Sequence, residues 1–168
     1  AETKLLLFVG KLQSRKRPFD VIDACASLRK TGRDVEVVVA GSGQLESAIQ
    51  QRAIDANVPL NMLGFQNQSA LPAVYAAADV LVLPSSSEET WGLVANEALA
   101  CGTPVIVSEA CGCEPNLVPD GAAGTTYPTG DVVSLAEQLS KLLDHPPDSA
   151  HISARVSLYS LSAAADGI

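Results

Sequence analysis

Four apolar runs constrain this chain more than any other feature: Lys4–Val9 (KLLLFV), Val35–Ala40 (VEVVVA), Val80–Leu83 (VLVL) and Pro104–Val107 (PVIV). None alternates apolar and polar residues along its length. Each therefore suits a strand buried on both faces, and such strands belong to parallel sheets covered by helices on either side. The first three are closed at once by Gly10, Gly41 and Pro84, which keeps them short.

The segments between these runs carry helical spacing. Pro18 opens a predicted helix through about Lys30, with Val21, Ile22, Cys25 and Leu28 on one face and Gly32 as its stop. Gly41-Ser42-Gly43 leads into a helix bearing Leu45, Ile49, Ala53 and Ile54. That glycine pair is half of a dinucleotide fingerprint with Glu46 at the third position, so a tight turn and a ligand contact both stay open. A short strand at Pro59–Leu63, a helix at Leu71–Ala78, a helical turn at Asn116–Val118, an edge strand at Gly121–Thr126 and an amphipathic helix at Val132–Leu143 complete the alternation. Beyond Pro146 the chain reads as a polar tail to Tyr159, followed by a truncated final helix from Leu161 to Ile168. Strands alternating with helices predict one α/β domain over residues 1–168: a Rossmann-like three-layer α/β/α arrangement with a parallel sheet. Ligands of such sheets bind outside the C-terminal strand ends, where Lys11, Gly41, Phe65, Glu89 and Glu114 all fall.

A net charge of −8 argues against nucleic acid or an anionic membrane as a partner of the whole surface. Lys11, Arg15, Lys16 and Arg17 nevertheless fall within seven positions, a local cationic loop of the kind that binds one phosphorylated small molecule or is simply solvated. The opening AETKLLLFVG has neither a basic leader nor a long apolar stretch, so no signal peptide or membrane span is expected and the cytoplasm is the expected compartment. Cys25, Cys101, Cys111 and Cys113 form no C-x-x-C pair, and His145 and His151 lie in a Pro-rich polar stretch. Neither a metal site nor a histidine catalyst is expected, and Cys25 and Cys101 read as buried small hydrophobes.

Chemistry concentrates in residues 88–106, EETWGLVANEALACGTPVI. Glu89 lies in a loop, a helix starts at Trp91-Gly92, Glu97 follows on its second turn and Gly102 stops it. A helix opening beside a strand end exposes unpaired N–H groups, so Gly92, Leu93 and Val94 form a candidate anion site. Two ionised carboxylates close by can accept hydrogen bonds from sugar hydroxyls. Lys11 and Lys16 are the candidate cations for a diphosphate.

The run PSSSEETWGLVANEALACGTPVIVS resembles the signature of retaining GT-B glycosyltransferases of the group-1, glycogen-synthase and sucrose-synthase-like superfamily. VGKL with Lys16, AGSG, LGF, AAADVLVLPS and VPDGAAGTTYPTGD fall in the family's order, so the resemblance covers essentially the whole chain. It implies the C-terminal, nucleotide-sugar-binding half of such an enzyme, with an N-terminal acceptor domain absent from this chain and any membrane association arranged through that half. It further implies Glu89 at the donor sugar, Glu97 at the ribose, Gly92 to Val94 at the diphosphate and the Leu63 to Phe65 segment at the base. Lys11 and Lys16 would bind the diphosphate. No metal or other cofactor is implied; the partners are a nucleotide diphosphate sugar as donor and a hydroxyl acceptor held mainly by the other domain. Lys11 departs from the family's arginine, Arg17 stands where glycine is usual, and Cys113 where a second glycine is common. Arg17 is either an extra phosphate ligand or solvated. The other functions compatible with this architecture are a non-catalytic nucleotide or sugar-binding module and a nucleotide-sugar epimerase.

Overall fold

The computed structural model describes residues 2–159. Six strands, β1 (Lys4–Val9), β2 (Val35–Ala40), β3 (Leu60–Gly64), β4 (Val80–Leu83), β5 (Val105–Ser108) and β6 (Gly124–Tyr127), form one sheet in the order β3-β2-β1-β4-β5-β6. Every neighbouring pair is parallel. The apolar runs dictate this outcome, because β4 and β5 are buried along their full length and a sheet with a wet face has no use for such strands.

Successive residues on a strand face opposite sides of the sheet, and the core divides accordingly. Leu6, Phe8, Val37, Val39, Val82 and Ile106 pack beneath α1 (Pro18–Lys30), α2 (Glu46–Asp55) and α6 (Val132–Asp144). Leu7, Val9, Val38, Leu81, Leu83, Val105 and Val107 pack beneath α3 (Leu71–Ala77), α4 (Leu93–Ala100), the short α5 (Glu114–Leu117) and α7 (Ser149–Ser157). The result is the expected three-layer α/β/α domain.

Element boundaries shift in explicable ways. The predicted strand at 104–107 runs from Val105 to Ser108, since Pro104 has no N–H to donate to the ladder, although its carbonyl accepts from Leu81 N at 3.0 Å. The edge strand begins at Gly124 rather than Gly121, after a turn in which Asp120 accepts from Ala122 N at 3.0 Å. The helical turn expected at 116–118 is α5, two residues earlier, with Pro115 in its first turn. The basic loop contains a 3-10 turn, Ser14–Lys16, which sequence periodicity did not indicate.

The largest correction concerns the polar tail. Residues 149–157 form α7, capped by the Asp148 carboxylate accepting from Ala150 N at 2.9 Å. One buried side chain, Ile152, joins the core, and Val156 packs beside it. A single apolar stripe on a polar helix suffices for docking, which is why composition alone suggested a tail. The helix expected at Leu161–Ile168 lies outside the described residues.

Candidate active site

The strand order reverses between β1 and β4, and at such a reversal the C-terminal edge of an open α/β sheet is where ligands bind. After β1 comes the basic loop; after β4 come Pro84, three serines, Glu88 and Glu89. The two loops are joined across the reversal. Ser86 N donates to Arg15 O at 2.8 Å, and the Lys16 ammonium donates to Oε2 of the Glu89 carboxylate. Both side chains of that pair are largely withdrawn from water, 17% and 13% exposed. Neighbouring Arg15 and Glu88 stand 3.9 Å apart with Glu88 68% exposed. An exposed pair of that kind contributes about 1 kcal/mol at most, whereas removing one partner of a largely buried pair costs about 3 kcal/mol or more.

Glu89 carries a second anchor. Ser85 Oγ donates to the same Oε2 at 3.1 Å, and Ser85 is itself buried. Ser108 Oγ, at the end of β5, donates to the Ser85 carbonyl. Glu89 O accepts from Gly112 N and Trp91 O from Cys113 N, each at 3.0 Å, so the loop after β5 holds the main chain on both sides of Thr90.

Helix α4 begins immediately beyond. Gly92, its N-terminal cap, has φ +95°, and a Cβ there would lie 2.6 Å from Leu83 Cδ2 and 3.6 Å from Glu89 Cγ. Only glycine fits that conformation without strain. The N–H groups of Leu93 and Val94 find no backbone acceptor among the described residues, and the first turn holds no acidic side chain. The positive end of the helix dipole is thus left for an external anion. Leu93 is exposed and Val94 half-buried.

Two concavities lie on this rim. One, about 400 Å³, is bordered by Gly10, Lys11, Gly41, Ser42, Phe65 and Leu71, among others. The second, about 260 Å³, is bordered by Leu71, Pro72, Tyr75, Glu97 and Cys101, and Leu71 is common to both. Phe65 is 78% exposed at the mouth of the first. Glu97 Oε2 accepts from Tyr75 OH at 2.6 Å, and burial, with that bond second, pushes the Tyr75 phenol above its ordinary range. The candidate residues therefore fall in three groups: Lys16, Glu89 and Gly92 together, Lys11 and Phe65 around one hollow, and Glu97 in the next, these two hollows meeting at Leu71.

The glycine pair of the β2 loop serves backbone approach. A Cβ on Gly41 would lie 1.9 Å from Gly10 O, and one on Gly43 2.6 Å from Leu12 O. The same backbone also borders the larger hollow, so the turn and the candidate contact coincide.

Arg17 fits neither alternative raised for it. Its guanidinium makes two bonds to Asp20, at 2.8 and 3.1 Å, and Asp20 is buried. Its φ of +48° explains why glycine suits the position. With Lys16 and Arg17 each on a carboxylate, Lys11 is the cation of this loop that makes no ion pair among the described residues. Cys25 is buried as expected, but Cys101 is only half-buried. Among the described residues no three His, Cys, Asp or Glu side chains cluster as metal ligands, and no helix is long and apolar enough to cross a membrane.

Tyr75, Ser85 and Ser108 are the site residues that sequence reasoning missed. Ser85 is the first polar residue after a buried strand, and that position was the available signal. Tyr75 and Ser108 had none, because their partners are 22 and 23 residues away in sequence.

The model of the family described as "Glycosyl transferases group 1" matches residues 1–157. The chain belongs to that family. Among curated members, a D-inositol 3-phosphate glycosyltransferase of Corynebacterium diphtheriae is 35% identical over 153 residues, covering 86% of this chain and 35% of the relative. A GDP-mannose-dependent alpha-(1-6)-phosphatidylinositol dimannoside mannosyltransferase of Mycobacterium tuberculosis is 36% identical over 120 residues, covering 71% of this chain and 31% of the relative. The solved sucrose-phosphate synthase of Thermosynechococcus elongatus superposes with a TM-score of 0.81 at 26% identity, over 96% of this chain and 43% of that one. This group 1 glycosyltransferase chain thus spans well under half the length of these relatives.

Proposed function

We propose that this chain is the donor-binding half of a retaining glycosyltransferase, which moves a sugar from a nucleotide diphosphate sugar to a hydroxyl acceptor held mainly by another domain. One observation carries the reading: the Lys16–Glu89 pair joins the two loops at the strand-order reversal, beside the open N-terminus of α4. Cation, carboxylate and helix N–H donors meet there, as a ligand with both phosphate and hydroxyl groups requires.

In this reading the diphosphate lies against the N–H groups of Gly92 to Val94, with Lys11 and Lys16 as counter-charges. The ribose hydroxyls bond Glu97, which Tyr75 holds by one oxygen. The base enters the hollow beside the Leu63–Phe65 segment, and the transferred sugar meets Glu89. Leaving-group charge is stabilised by oriented donors and ammonium groups without a metal, an electrostatic contribution of the kind that dominates many enzymes. The dependence of one relative on GDP-mannose supports a nucleotide-sugar donor.

Calorimetry with UDP-, GDP- and ADP-sugars tests this. The folded domain should bind at least one of them weakly and turn none over. No heat from any of them overturns the reading.

A further inference from the structure

Glu89 is held by one oxygen only. Lys16 Nζ and Ser85 Oγ both donate to Oε2, while Oε1 accepts no hydrogen bond among the described residues. We propose that Ser85 is a positioning residue: with Lys16 it fixes Oε2 so that Oε1 is left as the acceptor for a donor-sugar hydroxyl. The proposal rests on the donor-site reading above and assigns a role to a residue outside the acidic motif.

The geometry favours a specific role for this serine over its neighbours. Of Ser85, Ser86 and Ser87, only Ser85 is buried. Its main chain is pinned at the carbonyl by Ser108 Oγ, itself buried at the end of the adjacent strand. The hydroxyl is therefore presented from a fixed point between two core strands. Lys16 alone is a flexible tether, since an ammonium on a four-carbon stem offers three rotatable donors and imposes little direction. A hydroxyl on one short, buried side chain supplies the direction that the ammonium lacks. An ionised carboxylate only accepts, so the free oxygen selects a ligand atom that donates: a sugar hydroxyl rather than an ether or carbonyl oxygen.

The test uses the full-length protein that carries this domain. Ser85→Ala removes one buried oxygen and adds no bulk, so folding should survive, as circular dichroism will establish. Its kcat/KM for donor should fall about 10- to 100-fold, the range expected for a lost hydrogen bond to a charged group. Affinity for the nucleoside diphosphate alone, which makes no contact with Oε1, should stay within about twofold if the transition-state interaction alone is lost. In a Glu89→Ala background the serine substitution should cost nothing further, because its effect passes through the carboxylate. Equal losses in both backgrounds, wild-type kinetics for Ser85→Ala, or a parallel fall in diphosphate affinity would each overturn the proposal. Crystal structures of the wild-type and Ser85→Ala proteins give a readout independent of transfer. The Glu89 carboxylate should change rotamer or split between two; an unmoved carboxylate refutes the anchoring. Absence of donor binding and transfer in the wild-type protein would instead sink the donor-site reading, leaving the anchoring to be judged by the crystal structures.

Discussion

At position 92 a side chain has nowhere to go. The φ of +95° is unfavourable for any L-residue, and the first added carbon meets Leu83, which is buried in the core. Gly92→Ala should cost about 2 kcal/mol or more through strain and displacement. Urea denaturation measures that cost, and nucleoside diphosphate affinity should fall with it because the start of α4 moves. The cysteines lead to a second prediction. Burial pushes the Cys25 and Cys113 thiols up to about 12, and Cys111 is raised by the same cause. At pH 8 about one Cys25 or Cys113 thiol in 10⁴ would be thiolate. Titration of the native protein with a chromogenic disulfide should modify Cys101 first and the other three only on unfolding; rapid reaction of two or more would contradict the burial. At this scale the acidic motif and the glycines were legible, since their chemistry is intrinsic to the residue. Whether Lys16 is available to a ligand was not, because the answer depends on a carboxylate 73 residues away that folding brings alongside; for Arg17 it depends on the left-handed turn that sets its guanidinium on Asp20.

Among the elements, α7 separates pattern from packing. Its sequence, SAHISARVS, is weakly apolar, yet Ile152 is 2% exposed and Arg155 contacts the Asp120 carboxylate and the Asn116 carbonyl. Ile152→Ala should destabilise the domain by about 2–5 kcal/mol, the usual range for truncating a core aliphatic side chain. A change below the precision of urea denaturation would mean that α7 docks without contributing. Trp91 touches Tyr159 with ring centroids 5.9 Å apart, so undocking of α7 should also be visible as a change in tryptophan emission. The buried strands were readable as unbroken apolar runs, and the long helices because their apolar spacing repeats over several turns. A helix held by one stripe offers too few repeats to register, and strand ends moved wherever a proline or a capping bond decided the last residue.

For the whole molecule, ligand binding and stability are linked. If the rim binds a nucleoside diphosphate, a concentration of 100 times Kd should add about 2.7 kcal/mol and raise Tm by several degrees. Lys11→Met should reduce that shift, since Lys11 carries the charge of the basic loop that no carboxylate neutralises among the described residues. An unchanged shift in the variant would remove Lys11 from the site. By itself the sequence determined the three-layer α/β class and the parallel sheet, because doubly buried strands and their alternation with helices admit few other arrangements. Only the tertiary structure decided which polar groups meet: Lys16 with Glu89, Arg17 with Asp20, Tyr75 with Glu97. The first and third span 73 and 22 residues and are selected by the strand order and by where each loop leaves the sheet, neither of which leaves a local mark in the chain, whereas Arg17 meets Asp20 three residues on because the chain turns there into α1. Glu89 and Glu97 were identified from their surroundings in sequence, but their distinct settings, one gripped by an ammonium and a buried serine and the other by a phenol, arise from packing alone.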